Sequence, residues 1–140
     1  MSHFRSTTTR MKMRIVGAVA LLPAAALLAG ASPLANVSLF KKVEHGEWSL
    51  RIREGGQDRK VCVRSGEELV QIRHNQPGCN QFVVSDEPNR AIIQYTCRGN
   101  GYGRTEIRRE RSGLMQLQSQ GIHDGVPFSI SAEARYTGSC

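Results

Sequence analysis

From Glu47 to Arg53 the side chains alternate, with Trp48, Leu50 and Ile52 on one face and Ser49, Arg51 and Arg53 on the other. A period of two predicts a strand with one wet face. The turn-forming residues Glu54-Gly55-Gly56-Gln57-Asp58 come next, so Arg59 to Val63 is expected to return as a hairpin. Ser65-Gly66-Glu67-Glu68 reads as a capping box, in which the Ser65 hydroxyl accepts from the Glu68 amide and the Glu68 carboxylate reaches back to the Ser65 amide. A short helix near 65–73 follows, with Leu69 and Ile72 on its buried face and Gln76-Pro77-Gly78 as its stop.

In the second half the alternation is plainer. Gln81 to Ser85 and Ala91 to Arg98 flank the turn cluster Asp86-Glu87-Pro88-Asn89, and Gly99-Asn100-Gly101-Tyr102-Gly103 leads into Arg104 to Arg111. Ser112-Gly113 turns into Leu114 to Gln120, and Asp124-Gly125 precedes a last strand. There Phe128, Ile130, Ala132, Ala134 and Tyr136 alternate with Ser129, Ser131, Glu133 and Arg135. The predicted class is mainly all-β: an antiparallel meander of about seven short strands curled into a sandwich or partly open barrel, with one short helix. Connections of hairpin length exclude a parallel sheet.

The first half of the N-terminal region has a different pattern. Arg5, Arg10, Lys12 and Arg14 precede an apolar run from Ile15 to Leu28 that is broken only by the small residues Gly17 and Pro23. This is the order of a signal peptide. Ala29-Gly30-Ala31 offers the small residues a signal peptidase reads, so cleavage is expected before Ser32; Pro33-Leu34-Ala35 is the poorer site. A retained membrane anchor is the alternative, weakened by Pro23, Gly30 and Pro33. Lipidation is excluded by Ala31, which stands where the lipid-bearing cysteine belongs, and Met11 and Met13 are alternative start sites. The chain thus divides into a signal peptide 1–31, an N-terminal tether 32–45 without a clean period, and a single exported β-domain 46–140.

Cleavage changes the charge balance. Of 19 basic residues four leave with the signal while all 12 acidic ones stay, so the formal charge of +7 falls to +3. That is too mild for a nucleic-acid partner. The remaining chain suits one small domain.

Four cysteines, Cys62, Cys79, Cys97 and Cys140, all follow the leader, which predicts two disulfides in an oxidising compartment. Of three possible pairings, Cys62 with Cys79 and Cys97 with Cys140 are favoured: one clips the helical excursion, the other pins the chain end to a central strand. A zinc site lacks any Cys-x-x-Cys spacing and needs reduced thiols. A bridged Cys62 likewise excludes a thiol hydrolase built with His74 and Asn75.

Gly46-Glu47-Trp48, Cys62-Val63, Cys79, Tyr95-Thr96-Cys97 and the closing Ala134-Arg135-Tyr136-Thr137-Gly138-Ser139-Cys140 together resemble the bacterial exported-protein family catalogued as domain of unknown function 3617. The likeness covers about residues 44 to 140, with Arg64 and Ser65 standing where the family has threonine and proline. The resemblance implies an exported, disulfide-bonded β-domain. It brings no catalytic residues with it.

Candidate chemistry is sparse: no catalytic, cofactor-binding or metal-binding residue is assigned, and no cofactor is expected. His45, His74 and His123 lie in polar, turn-like flanks and are expected to be solvated. Gly99 to Gly103 lacks the lysine and following helix of a phosphate-cradling loop, and no Gly-x-Ser-x-Gly elbow is present. Arg104, Glu106, Arg108 and Glu110 would share one strand face as a ladder of opposite charges, with Arg109 and Arg111 on the other; the alternative is a patch for anionic surfaces. Trp48 is a core residue or, in a curled sheet, the floor of a pocket shared with Tyr95 and Phe128. The reading that results is a periplasmic or secreted, non-catalytic domain with a binding or envelope-maintenance role, its partner an envelope protein or a small apolar ligand. The alternatives are a small extracytoplasmic enzyme using Glu67 or Glu68 with His74, and a carrier of an apolar molecule.

Overall fold

Seven strands form where the alternation predicts them: β1 (Gly46–Ile52), β2 (Arg59–Val63), β3 (Asn80–Glu87), β4 (Arg90–Cys97), β5 (Gly101–Arg111), β6 (Leu114–His123) and β7 (Val126–Gly138). The computed structural model describes residues 33–54 and 56–140, so the expected signal peptide and Gly55 of the first turn lie outside the described residues. Every strand pair is antiparallel, and the seven strands make one open sheet in the order β2-β1-β7-β6-β5-β4-β3. From β3 to β7 it is a meander of hairpins. Among the described residues the one long-range pairing sets β1 against β7, with Trp48 opposite Tyr136 and Leu50 opposite Ala134.

One face of this sheet carries the core. Trp48, Leu50, Ala91, Ile93, Tyr95, Ile107, Met115, Leu117, Ala132 and Ala134 are buried on it, while Ser49, Gln94, Arg104, Gln118 and Gln120 turn the other way in the alternation that makes one face wet. The core face is roofed by a helix α1 (Glu67–Val70) and by two 3₁₀ turns, Pro33–Asn36 and Phe40–Lys42. Because α1 touches both β2 and β5, strands four places apart in the sheet, the sheet curls around it.

The segment preceding β1 is not a tether. Leu34, Val37, Leu39, Phe40 and Val43 are all buried in the core cluster, because Leu34, Val37, Phe40 and Val43 recur every three residues, the period of a 3₁₀ turn, and so point one stripe at the sheet. Ser38 fastens it to β3 through the Asp86 carboxylate, its amide donating to Oδ1 at 2.9 Å.

At its C-terminal end the segment is held by Glu44. Its carbonyl accepts from Trp48 Nε1 at 2.9 Å, and its carboxylate accepts from the Ser112 hydroxyl and the Gly113 amide in the β5–β6 turn. Burial pushes the Glu44 carboxyl up, but the hydrogen bonds and the nearby Arg109 outweigh it, and the group titrates below its ordinary value of 4.5. A depressed carboxyl stabilises the fold above its unfolded value and loses that contribution as pH falls through the folded one. Glu44→Gln should therefore flatten the loss of stability below about pH 4.5, read as urea midpoints across an acid series. An unchanged slope would show that Glu44 is not a fastening point.

Two local expectations are revised. The capping box forms in one direction: Glu68 accepts from the amides of Ser65 at 3.3 Å and Gly66 at 3.1 Å, but the Ser65 hydroxyl accepts from Glu67 rather than Glu68. The helix ends at Val70, short of Arg73, because Gln71 leaves helical geometry at φ −98°, ψ 42°. The buried Thr105 hydroxyl then donates to the Val70 carbonyl at 2.6 Å and satisfies that helix end.

The disulfides pair Cys62 with Cys140 and Cys79 with Cys97, correcting both favoured pairs. Strand register is the reason. Asn80 faces Thr96 across the β3–β4 hairpin, which sets Cys79 beside Cys97 at a Cα separation of 4.4 Å. Glu47 of β1 pairs with Cys62 on one side and Gly138 on the other, so the chain end beyond β7 crosses to β2, where Cys62 and Cys140 lie 5.8 Å apart. Two bridges with no free cysteine among the described residues suit an oxidising, extracytoplasmic location.

Candidate functional site

The sheet edge at β2 and the chain from Glu67 to Pro77 diverge after the Ser65–Gly66 turn and leave a cleft of about 570 Å³ between them. Arg59, Lys60 and Val61 form one wall; Glu67, Glu68, Gln71 and Ile72 form the other, and His74 to Pro77 close the end. A cavity of that volume lies within the usual range for ligand sites, about 300 to 1,000 Å³. A smaller hollow of about 140 Å³ on the wet face is lined by Arg104, Gln118, Gln120, Ser129 and Ser131 among others.

The charged groups of the cleft differ in how far they are committed. Lys60 pairs with Glu47 at 2.9 Å. The Glu68 carboxylate is consumed by the amides around Ser65, and Glu67 accepts from Gln71 Nε2 at 3.1 Å. Arg59 instead reaches across the cleft and donates to the carbonyl of Ile72. Burial and the adjacent Arg73 cation both pull its guanidinium below the ordinary value. Neither arginine is in an ion pair among the described residues.

His74 is fully buried, at 1% exposure, where a solvated side chain was expected from its polar flanks. Nε2 lies 3.0 Å from the Asn100 carbonyl, which only accepts, so Nε2 carries the hydrogen. Nδ1 lies 3.0 Å from the Tyr95 hydroxyl. Burial raises the Tyr95 phenol above its usual value, partly offset by a hydrogen bond from Ser119; in the tautomer with the hydrogen on Nε2, Nδ1 accepts from the phenol O–H. The rings of Tyr95, His123 and Phe128 meet the imidazole edge-on, at centroid distances of 5.2, 4.9 and 5.8 Å.

Two glycines make room for this cluster. Tyr95, Gly103, Gly121 and Phe128 fall on one cross-strand row of β4 to β7. A Cβ at Gly103 would come within 2.4 Å of the Tyr95 ring, and one at Gly121 within 2.1 Å of the Tyr102 carbonyl. The ring therefore lies flat over β5 and its hydroxyl reaches His74.

Of the expected pocket residues, Tyr95 and Phe128 come together around His74, but Trp48 does not join them. It sits on β1, four strands from Tyr95, at 1% exposure and packed edge-on against Tyr136 at 5.7 Å. None of the three lines the large cleft. The residues of the enzyme alternative, Glu67, Glu68 and His74, do line it together. Each is already occupied: both ring nitrogens of His74 face inward partners, and both carboxylates accept from the protein's own donors.

The remaining candidates are accounted for individually. His45 is exposed, and His123 lies with Nδ1 3.5 Å from the Asp124 carboxylate. Gly101, at φ 105°, opens β5 where any side chain would strike the Ile122 carbonyl, so this stretch is strand rather than loop. In the arginine strand Arg108 pairs with Glu110 at 3.1 Å as the spacing predicts, whereas Glu106 takes Arg90 of β4 at 2.8 Å rather than a neighbour in its own strand. Among the described residues no group of three or more His, Cys, Asp or Glu side chains is placed to hold a metal ion, and no helix is long and apolar enough to cross a membrane.

The cleft was not foreseen from the sequence. It depends on the early end of α1 and on the unpaired side of β2, neither of which leaves a periodic signal. Comparison with known proteins finds no matching family model, no similar curated protein and no similar solved structure.

Proposed function

We propose that this chain is an exported, non-catalytic binding domain, periplasmic or secreted after cleavage near Ala31, and that it holds its ligand in the cleft between β2 and the Glu67–Pro77 segment. The observation that carries the reading is the cleft itself: about 570 Å³, mixed in polarity, with Arg59 bridging its walls and no carboxylate paired with it among the described residues. Its acidic and imidazole groups serve the fold's own donors and acceptors, which supports binding over acid–base chemistry. The two disulfides support a location outside the cytoplasm, and the resemblance to domain of unknown function 3617 would imply the same exported, disulfide-bonded class.

The test uses protein exported by its own host and weighed by native mass spectrometry before and after reduction. Asn75 is exposed and lines the cleft, so Asn75→Trp fills the space without removing a contact the fold uses. Retained extra mass on the wild type that disappears in Asn75→Trp is the expected result. A bare chain in both, or equal retention in both, overturns the assignment.

A further inference from the structure

We infer that the cleft takes an extended polypeptide segment bearing a carboxylate, laid along the free edge of β2 with that carboxylate between Arg59 and Arg73. The inference rests on the cleft being the binding site and names what fills it.

The edge supplies the first part. Among the described residues β2 pairs only with β1, so alternate backbone N–H and C=O groups along Arg59–Val63 face outward, the arrangement that accepts an added strand. Arg59, Lys60 and Val61 of that edge also line the cleft. A chain entering the cleft therefore meets strand edge over about three residues, or roughly 10 Å.

Charge then selects the segment. Lys60 is answered by Glu47, and Glu67 and Glu68 are hydrogen-bonded within their own wall. Arg59 and Arg73 have no such answer among the described residues. Because Arg59 donates to the carbonyl of Ile72, the residue before Arg73, its guanidinium lies in the cleft beside the backbone that carries Arg73, whose cation acts on it from just outside the cleft lining. A carboxylate there accepts from both and relieves their mutual repulsion, which a neutral or cationic segment does not. An aspartate or glutamate side chain and a free chain terminus supply the same group.

Fluorescence anisotropy on the oxidised full-length protein at low salt separates these sources. The probes are fluorescein-labelled alternating Thr-Val peptides: one with a single internal glutamate and an amidated end, one neutral with a free C-terminal carboxylate, and one with lysine replacing the glutamate. At least one carboxylate probe is expected to bind, and the lysine probe is not. Arg73 is exposed, so Arg73→Gln leaves the fold intact, and it should weaken binding about tenfold or more, whereas Arg59→Lys, which keeps the charge, should weaken it less. Methylating alternate peptide nitrogens removes the strand hydrogen bonds but not the carboxylate, and should also weaken binding about tenfold.

Equal binding by the lysine probe, or full affinity after N-methylation, overturns the inference. If no peptide binds while Asn75→Trp still abolishes a retained mass, the peptide assignment fails and the cleft reading stands. If neither is seen, both fall.

Discussion

Replacing Cys62 and Cys140 together by alanine is expected to lower the free energy of unfolding by about 4 to 5 kcal/mol, against about 3 kcal/mol for Cys79 and Cys97. The difference follows from what each bridge closes: separations of 78 and 18 residues, and thus unequal restraints on the unfolded chain. Against a total of about 5 to 15 kcal/mol for a domain this small, losing the longer bridge brings the protein close to unfolding at physiological temperature. Urea unfolding of the two double variants measures both terms. The longer bridge also ties the chain end to β2, so its loss should speed amide exchange at Arg59–Val61, the strand wall of the cleft. A smaller cost for Cys62 and Cys140 than for Cys79 and Cys97 would contradict the restraint model.

The pairing itself is checkable without any variant. Trypsin cuts after Lys60, Arg64, Arg73, Arg90, Arg98 and Arg135, which leaves each cysteine on its own peptide. Unreduced digests should link 61–64 to 136–140 and 74–90 to 91–98. The opposite linkage, 61–64 to 74–90, would restore the pairing that neighbouring positions in the sequence favour.

How far the sequence reaches is clearest at these cysteines. The strands are legible because Trp48, Leu50 and Ile52, or Phe128 through Tyr136, repeat at the period of a pleated sheet, and that signal is local. Pairing between β1 and β7 leaves no local trace, and Cys62 reaches Cys140 only because β1 lies between β2 and β7. The Cys79–Cys97 bridge was one residue out of reach, since a hairpin turning at Pro88-Asn89 places Asn80 opposite Cys97, and the register shift between Val83 and Ser85, which leaves no sequence signal, brings Cys79 there instead. Leu34, Val37, Phe40 and Val43 were misread for another reason: a 3₁₀ turn of three or four residues is too short to show a period, though the apolar spacing is present. The cleft is least legible, because it is the gap left between two segments rather than a property of either.

His74 shows the same limit at one residue and carries the second large effect. His74→Ala is expected to cost about 3 to 5 kcal/mol, as the sum of a buried cavity and two stranded partners, the Asn100 carbonyl and the Tyr95 hydroxyl. His74→Phe separates the two terms. A phenyl ring keeps the edge-on contacts with Tyr95, His123 and Phe128 but leaves both polar partners unsatisfied. If the hydrogen bonds hold the 71–77 segment onto the sheet, His74→Phe should still lose about 2 kcal/mol or more, since each orphaned buried group costs about 1 to 3 kcal/mol. His74→Gln retains an N–H toward Asn100 and should recover part of that loss. Urea midpoints rank the three, and a His74→Phe protein as stable as the wild type would mean that the imidazole merely fills space. In that case Asn100 and Tyr95 find water through the cleft floor, and the wall facing β2 is set by packing against Phe128 rather than by the hydrogen bonds that reach β4 and the turn before β5.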